Sequence, residues 1–206
     1  MYSENLVDGK TEKRQESQTF LRLQSLPNPS YKGRLIPVLF LFMIITIHNK
    51  QKDLPLSTPQ AKKILLLLLK ELHISTNEII VHFVTKNKIA QIHGDFFADP
   101  TPTDCMSFPI DSHTKKLSPT DHYILGEVFV CPAIAIEYAK KKQLDPYQET
   151  ALYMIHGFLH LIGYDDLEPI ARRKMRSMEK KCLALIQPFS LQSPKKKIVL
   201  KSSITV

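Results

Sequence analysis

The chain has 206 residues, 43% of them hydrophobic, with 6 glycines, 14 prolines and a formal net charge of +8. That length and apolar share suit one domain with a real core and exclude collagen-like or wholly disordered chains. The basic balance favours a polyanionic partner, nucleic acid ahead of an anionic membrane surface, although a plain solvated basic surface explains it equally well.

Residues 1–34 are polar, mixed in charge and without periodicity, and "SLPNPSYKGR" closes them with Pro and Gly. Loose packing or disorder is expected there. The apolar run 35–47, "LIPVLFLFMIITI", contains Pro37 and is too short for a membrane-spanning helix, which needs roughly 20 residues. A long polar stretch ahead of it and "HNKQKD" after it do not fit a secretory signal, so a buried strand is expected. "STPQAKKILLLLLKELHIS" predicts a helix capped by Thr58 with Pro59 in its first turn. "NEIIVHFVT" and "KIAQIH" predict strands, and the gap between 79–84 and 88–92 predicts a hairpin. "GDFFADPTPTDC" is a loop, because Pro100 and Pro102 suit neither helix nor ladder. "MSFPI" predicts an edge strand limited by Pro109, and residues 112–122 a second loop.

A strand at 123–131 and a helix over "PAIAIEYAKKKQ" follow, the lysines in its last turn favoured by the helix dipole. The next helix starts at Asp145 as N-cap with Pro146 first, and Gln148 at capping-box spacing. Leu152, Ile155, Leu159 and Ile162 make its apolar stripe, and Gly163 ends it. A last helix begins near Pro169 with Met175, Met178, Cys182 and Leu185 inward. Interleaved strands and helices around one core give α+β: a small mixed sheet with one antiparallel hairpin and about five helices. Cys105, Cys131 and Cys182 are scattered and contain no CxxC pair. They argue against a disulfide framework and a thiolate zinc site, and fit a reducing cytoplasm. Cys131 and Cys182 are expected in the core.

The stretch "HGFLHLIGYDD", residues 156–166, carries the chemistry. His156 and His160 lie four apart, on one helical face, and can aim two imidazoles at one point. A catalytic zinc usually has three protein ligands and an open position. Past the glycine stop, Asp165 and Asp166 are the candidates for the third. A pair of histidines at this spacing is also common in helices without any metal. The HExxH arrangement would place a glutamate base after the first histidine, and here that residue is Gly157.

"HGFLHLIGYDD" resembles the signature of the YbeY endoribonuclease family, H-G-x-L-H-L-x-G-Y-D-H. "TDCMSFP", residues 103–109, resembles that family's T-[DN]-V-L-S-F-P segment, and "LGEVFVC", residues 125–131, its L-G-D-[IL]-x-I-[CS] strand. The resemblance covers about residues 43–187. It implies a single-domain α+β metalloprotein of the bacterial cytoplasm with one zinc ion, no membrane partner, and ribosomal RNA and the small ribosomal subunit as partners. The implied activity is single-strand-specific RNA cleavage in 3′-end maturation of small-subunit ribosomal RNA, with a metal-activated water rather than a named side chain as the catalytic group. Carried over by position, the ligands are His156, His160 and Asp166, with Asp166 where the family has its third histidine and Asp165 as a turn residue.

A second departure falls at Phe96 and Phe97, which stand where the family has Tyr-Arg. A guanidinium clamps a phosphoryl group well, so Lys86, Lys88, Lys115 and Lys116 are the substitutes weighed. The same comparison makes 1–42 an extension ahead of a start at Met43, 43–187 the catalytic domain and 188–206 a basic tail. His48, His73, His82, His93, His113 and His122 receive no role. Two other readings are a ribosome-associated assembly protein with a mainly structural metal, and a metal-dependent hydrolase of another substrate.

Overall fold

A computed structural model of the protein describes residues 43–111 and 122–193. Strand β1 (Ile44–Asn49) pairs in parallel with β2 (Glu78–Phe83), Ile44 opposite Glu78 and Asn49 opposite Phe83. Parallel neighbours need a crossover, and α1 (Thr58–Glu71) supplies it. Ala61, Ile64, Leu65, Leu68 and Leu69 recur at three-four spacing and bury one face of α1. The N-cap is Ser57, one residue before the expected Thr58: its Oγ accepts the Gln60 N–H at 3.4 Å. Of the apolar run 35–47, residues 44–47 enter β1, and 35–42 lie outside the described residues, as does most of the expected loop 112–122.

The hairpin expected between 79–84 and 88–92 is not formed. Residues Lys86–Phe97 make a helix, α2. Thr85 caps it, its Oγ1 accepting the Lys88 N–H at 3.3 Å. The deciding residues are Ile89 and Ile92. On a strand, three apart means opposite faces; on a helix it means the same face. Both are buried, in a small cluster with Val84, Met106 and Cys131. The expected loop from Gly94 therefore starts only at Ala98, where α2 ends in the left-handed conformation (φ 56°).

The antiparallel pairing lies elsewhere. Strand β3 (Cys105–Pro109) runs antiparallel to β4 (Ile124–Val130), Cys105 opposite Val130 and Pro109 opposite Gly126. β4 is parallel to β2, so the sheet order is β1-β2-β4-β3. β3 is an edge strand, as Pro109 predicted. Four strands in a mixed sheet with five helices around one core make the class α+β among the described residues.

Helices α3 (Pro132–Lys142), α4 (Pro146–Leu161) and α5 (Pro169–Ile186) follow β4. Asp145 caps α4 by accepting the Tyr147 N–H at 2.9 Å. α4 is the central helix, packed on β3 and β4 and, across its other side, on α3 and α5. Ile155 and Leu159 of its expected stripe are fully buried, Ile162 nearly so and Leu152 half-buried. Cys131 and Cys182 sit in the core as expected. On α5, Met175 and Cys182 are buried, but Leu185 is exposed and Ile186 takes its place. Eleven residues close about three α-helical turns, so Ile186 returns to the Met175 line. Beyond α5 the chain stays packed: Leu191 is buried and its carbonyl accepts the Ser57 N–H at 2.8 Å. No described helix is long and apolar enough to cross a membrane.

Candidate metal centre

His156 and His160 stand one helical turn apart on α4. Gly163 (φ 89°) then reverses the chain. The carbonyl of Leu159 accepts the Tyr164 N–H at 3.0 Å. Asp165 shapes the next residues: its Oδ1 accepts the N–H of Asp166 at 2.7 Å and of Leu167 at 3.2 Å. That is a turn role. It leaves the Asp166 carboxylate directed back at the histidines, with one oxygen 3.9 Å from His156 Nε2 and the other 3.9 Å from His160 Nε2. The two Nε2 atoms are 3.0 Å apart. One donor atom from each of His156, His160 and Asp166 falls within 4.8 Å of the others, so the structure brings together the three residues singled out in the sequence.

The other ring nitrogens explain why those three atoms converge. His160 Nδ1 lies 2.9 Å from the Tyr164 carbonyl oxygen, and a carbonyl only accepts, so this nitrogen carries the hydrogen. His156 Nδ1 lies 2.6 Å from Glu179 Oε1 on α5, a carboxylate that again accepts. Both neutral rings thus turn a bare Nε2 lone pair toward the other. Two lone pairs at 3.0 Å repel unless a proton or a cation sits between them. Burial presses His156 down, but the Glu179 hydrogen bond and charge, with Asp166 and Asp104, carry it above its ordinary 6.5. Burial and the neighbouring His156 hold His160 below 6.5, against Asp166. A proton on this pair therefore belongs to His156. A tetrahedral zinc site has donor atoms about 3.3 Å apart, from bonds of about 2.0 Å; the two Nε2 atoms at 3.0 Å are near that spacing, while an Asp166 oxygen, 3.9 Å from its nearer Nε2 and within 4.8 Å of the other, would move in by about an ångström to share an ion with them. The donor set, two imidazoles and one carboxylate, suits zinc and its first-row neighbours.

A cleft of about 250 Å³ opens beside these residues. Asp104, Tyr153, His156, Asp166 and Glu179 line it, together with Arg172 and Arg176. Arg172 also ties the Asp166 turn down, donating from Nε to the Asp166 carbonyl at 2.9 Å and from Nη2 to that of Leu167 at 3.0 Å. On β3 nearby, burial, then Asp104, Asp166 and Glu179, pushes the Cys105 thiol well above its ordinary value. Phe96 and Phe97 are exposed at the end of α2 and do not line the cleft. Nor do Lys86, which pairs with Glu137 at 2.7 Å, and Lys88, which donates to Gln91 at 3.2 Å. Lys115 and Lys116 lie outside the described residues.

Gly157 has a different role from the one the HExxH comparison assigned to its position. A Cβ there would fall under 3.0 Å from Val128 Cγ1 and 3.1 Å from Ser107 Oγ. Ser107 Oγ already donates to the Gly157 carbonyl at 3.0 Å. The position faces the sheet, not the histidines, and glycine lets α4 lie directly on β3 and β4.

Glu179, Arg172 and Arg176 escape sequence reasoning. The signal for Glu179 is weak but present: it stands four residues after Met175 and three before Cys182, a carboxylate on the inward side of an amphipathic helix.

The family model described as Endoribonuclease YbeY matches residues 46–187. The chain is similar to the Endoribonuclease YbeY of Protochlamydia amoebophila (strain UWE25), 45% identical over 128 residues, covering 62% of this chain and 83% of that protein. It is similar to that of Chlamydia felis, 37% identical over 146 residues, covering 69% of this chain and 90% of that one. Among solved structures it resembles the solution structure of TM1509 from Thermotoga maritima, with TM-score 0.51 and 25% identity over 69% of this chain and 89% of that one. With the α+β fold and the signature around His156 in place, these matches make the chain a member of the YbeY family.

Proposed function

We propose that the protein is a metal-dependent endoribonuclease in which His156, His160 and Asp166 hold one zinc ion, cutting single-stranded RNA in 3′-end maturation of small-subunit ribosomal RNA, within the cytoplasm. The observation that carries the metal is the pair of Nε2 lone pairs turned together at 3.0 Å with a carboxylate facing both. The RNA substrate is supported by the names of the relatives, Endoribonuclease YbeY, and its ribosomal origin by the resemblance in the sequence. A bound divalent ion supplies Lewis acidity toward a phosphoryl oxygen or a water.

The chain's own residues do the rest. Glu179 and the Tyr164 carbonyl hold the two imidazoles in the tautomer that leaves Nε2 bare, which is how outer hydrogen bonds orient metal-binding histidines. Asp165 and Arg172 fix the turn that presents Asp166. Three protein donors would leave a coordination position for water or substrate, as in a catalytic rather than a closed structural site. No side chain is assigned as nucleophile, since a metal-activated water or the RNA's own 2′-hydroxyl can serve.

The test is metal quantification on wild type and on His156→Ala, His160→Ala and Asp166→Ala, alongside cleavage of single-stranded RNA and of peptides with and without chelator. The expected result is one ion per chain in wild type, loss of it in the histidine variants, and RNA cleavage that stops with chelator. RNA or ribosome binding without chelator-sensitive cleavage would show an assembly protein instead. Full metal content in Asp166→Ala would remove the third ligand.

A further inference from the structure

Phe97, the position that the sequence resemblance matches to an arginine, is exposed and does not line the cleft, so a phosphate would have to be met by other groups. Three carboxylates line the cleft, Asp104, Asp166 and Glu179, against two guanidiniums, Arg172 and Arg176. With neutral histidines the cleft is one unit negative and repels RNA. A divalent cation makes it one unit positive, and one phosphodiester then neutralises it. The two guanidiniums are not equivalent. Arg172 spends two donors on backbone carbonyls of the Asp166 turn. Arg176 stands one helical turn further along α5, on the same cleft, and makes no ion pair within 4.0 Å among the described residues.

We propose that Arg176 is the phosphate-binding residue of this cleft, gripping the non-bridging oxygens of the phosphodiester beside His156 and Asp166, with Arg172 as the positioning residue that fixes the Asp166 turn under it. This rests on the RNA substrate proposed above and names the group that receives it. A guanidinium suits the task because its planar fork meets two phosphate oxygens at once, whereas an ammonium meets them as a point charge. The placement on α5 also puts Arg176 on the element that carries Glu179, so one helix would orient a metal ligand and hold the substrate. Sequence could not show this, because Arg176 lies within "ARRKMRSMEKK", where a solvated helix face is the ordinary explanation.

The experiment compares wild type, Arg176→Ala, Arg176→Lys and Arg173→Ala, the last an exposed arginine of the same helix that does not line the cleft. Each is loaded with zinc and measured for metal content, for affinity toward a 2′-O-methyl single-stranded oligonucleotide across a salt series, and for cleavage of the matching RNA. Arg176→Ala is expected to keep its metal and its fold by circular dichroism, and to bind the oligonucleotide about tenfold or more weakly. Its salt slope should fall by about 0.7, one phosphate contact on a single strand. Arg176→Lys should recover only part of the affinity, and Arg173→Ala should match wild type. Binding and cleavage by Arg176→Ala equal to wild type would overturn the assignment while leaving the nuclease intact. An equal loss in Arg173→Ala would also overturn it, by showing diffuse charge instead of a seat. A wild type that neither binds nor cuts RNA would remove the proposed function and this inference with it.

Discussion

Adding one methyl group at Gly157 should cost stability and weaken the proposed metal site together. Propensity argues the other way, since alanine is about 1 kcal/mol better than glycine inside a helix. Packing decides. The new Cβ would lie under 3.0 Å from Val128 Cγ1, against a favourable carbon separation of 3.5–4.0 Å, so at least about 0.5 Å must be given up. Val128 is fully buried on β4 and β-branched, hence stiff about χ1. Ser107 Oγ, 3.1 Å from the same Cβ, is held by its bond to the Gly157 carbonyl. α4 must therefore lift. Overpacking costs about 1–3 kcal/mol; taking the upper end and subtracting the propensity gain leaves about 2 kcal/mol. Lifting α4 also moves His156 and His160 relative to Asp166, whose turn Arg172 ties to α5. The assays are urea denaturation of the metal-free chain and zinc affinity by competition with a chelating dye. Gly157→Ala should lose about 2 kcal/mol and bind zinc more weakly. Combining it with Val128→Ala, which removes the clashing methyl, should return zinc affinity toward wild type even though burial is lost. A single variant as stable as wild type with unchanged zinc affinity would refute the packing argument.

Glu179→Gln keeps an acceptor for His156 Nδ1 but removes the charge, and is expected to weaken zinc binding by about 10- to 100-fold, the usual cost of losing a partner behind a ligand; calorimetric titration checks it. In the metal-free chain the same charge raises His156, so its contribution to stability is fully present below pH 6.5 and disappears as pH rises through the folded-state value. The stability gap between wild type and Glu179→Gln, followed by urea midpoint, should therefore narrow on going from pH 6 to pH 8; a gap that widens has the sign wrong. Asp166→His would replace the proposed anionic ligand by a neutral one, making a bound ion a stronger Lewis acid; metal content should persist and the RNA cleavage rate rise. Ile89→Ala, at a fully buried position under α2, should cost about 3 kcal/mol, and Thr85→Ala about 1 kcal/mol through the lost cap, both read from denaturation midpoints.

Local signals in the sequence carried a large part of this structure. Asp145 and Pro146 mark the start of α4 because capping and a fixed φ act within one turn of chain, and Pro109 marks an edge because a missing N–H is a local fact. "KIAQIH" failed for the same kind of reason. Six residues with apolar groups three apart satisfy a strand by composition and a helix by spacing. What settles the matter is distant: Met106 and Cys131 offer Ile89 and Ile92 a pocket on one side only. The antiparallel pairing moved with it, since β2 found β4 as a parallel neighbour once residues 86–97 were helical.

The candidate centre divides along the same line. His156, His160 and Asp166 are readable because one helix turn and one glycine stop bring them together within eleven residues of chain. The groups that make those residues useful come from α5. Glu179 sets which nitrogen of His156 is bare, and it stands 23 residues away in sequence. Arg172 locks the Asp166 turn from outside it. Both depend on α5 folding back across α4, a contact driven by the burial of Met175, Cys182 and Ile186, none of which is polar or near the signature. The apolar face of α5 is therefore part of the chemistry: weakening it should release Glu179 and Arg172 from the centre before it unfolds the sheet, because the sheet's own contacts run through α1 and α4 instead.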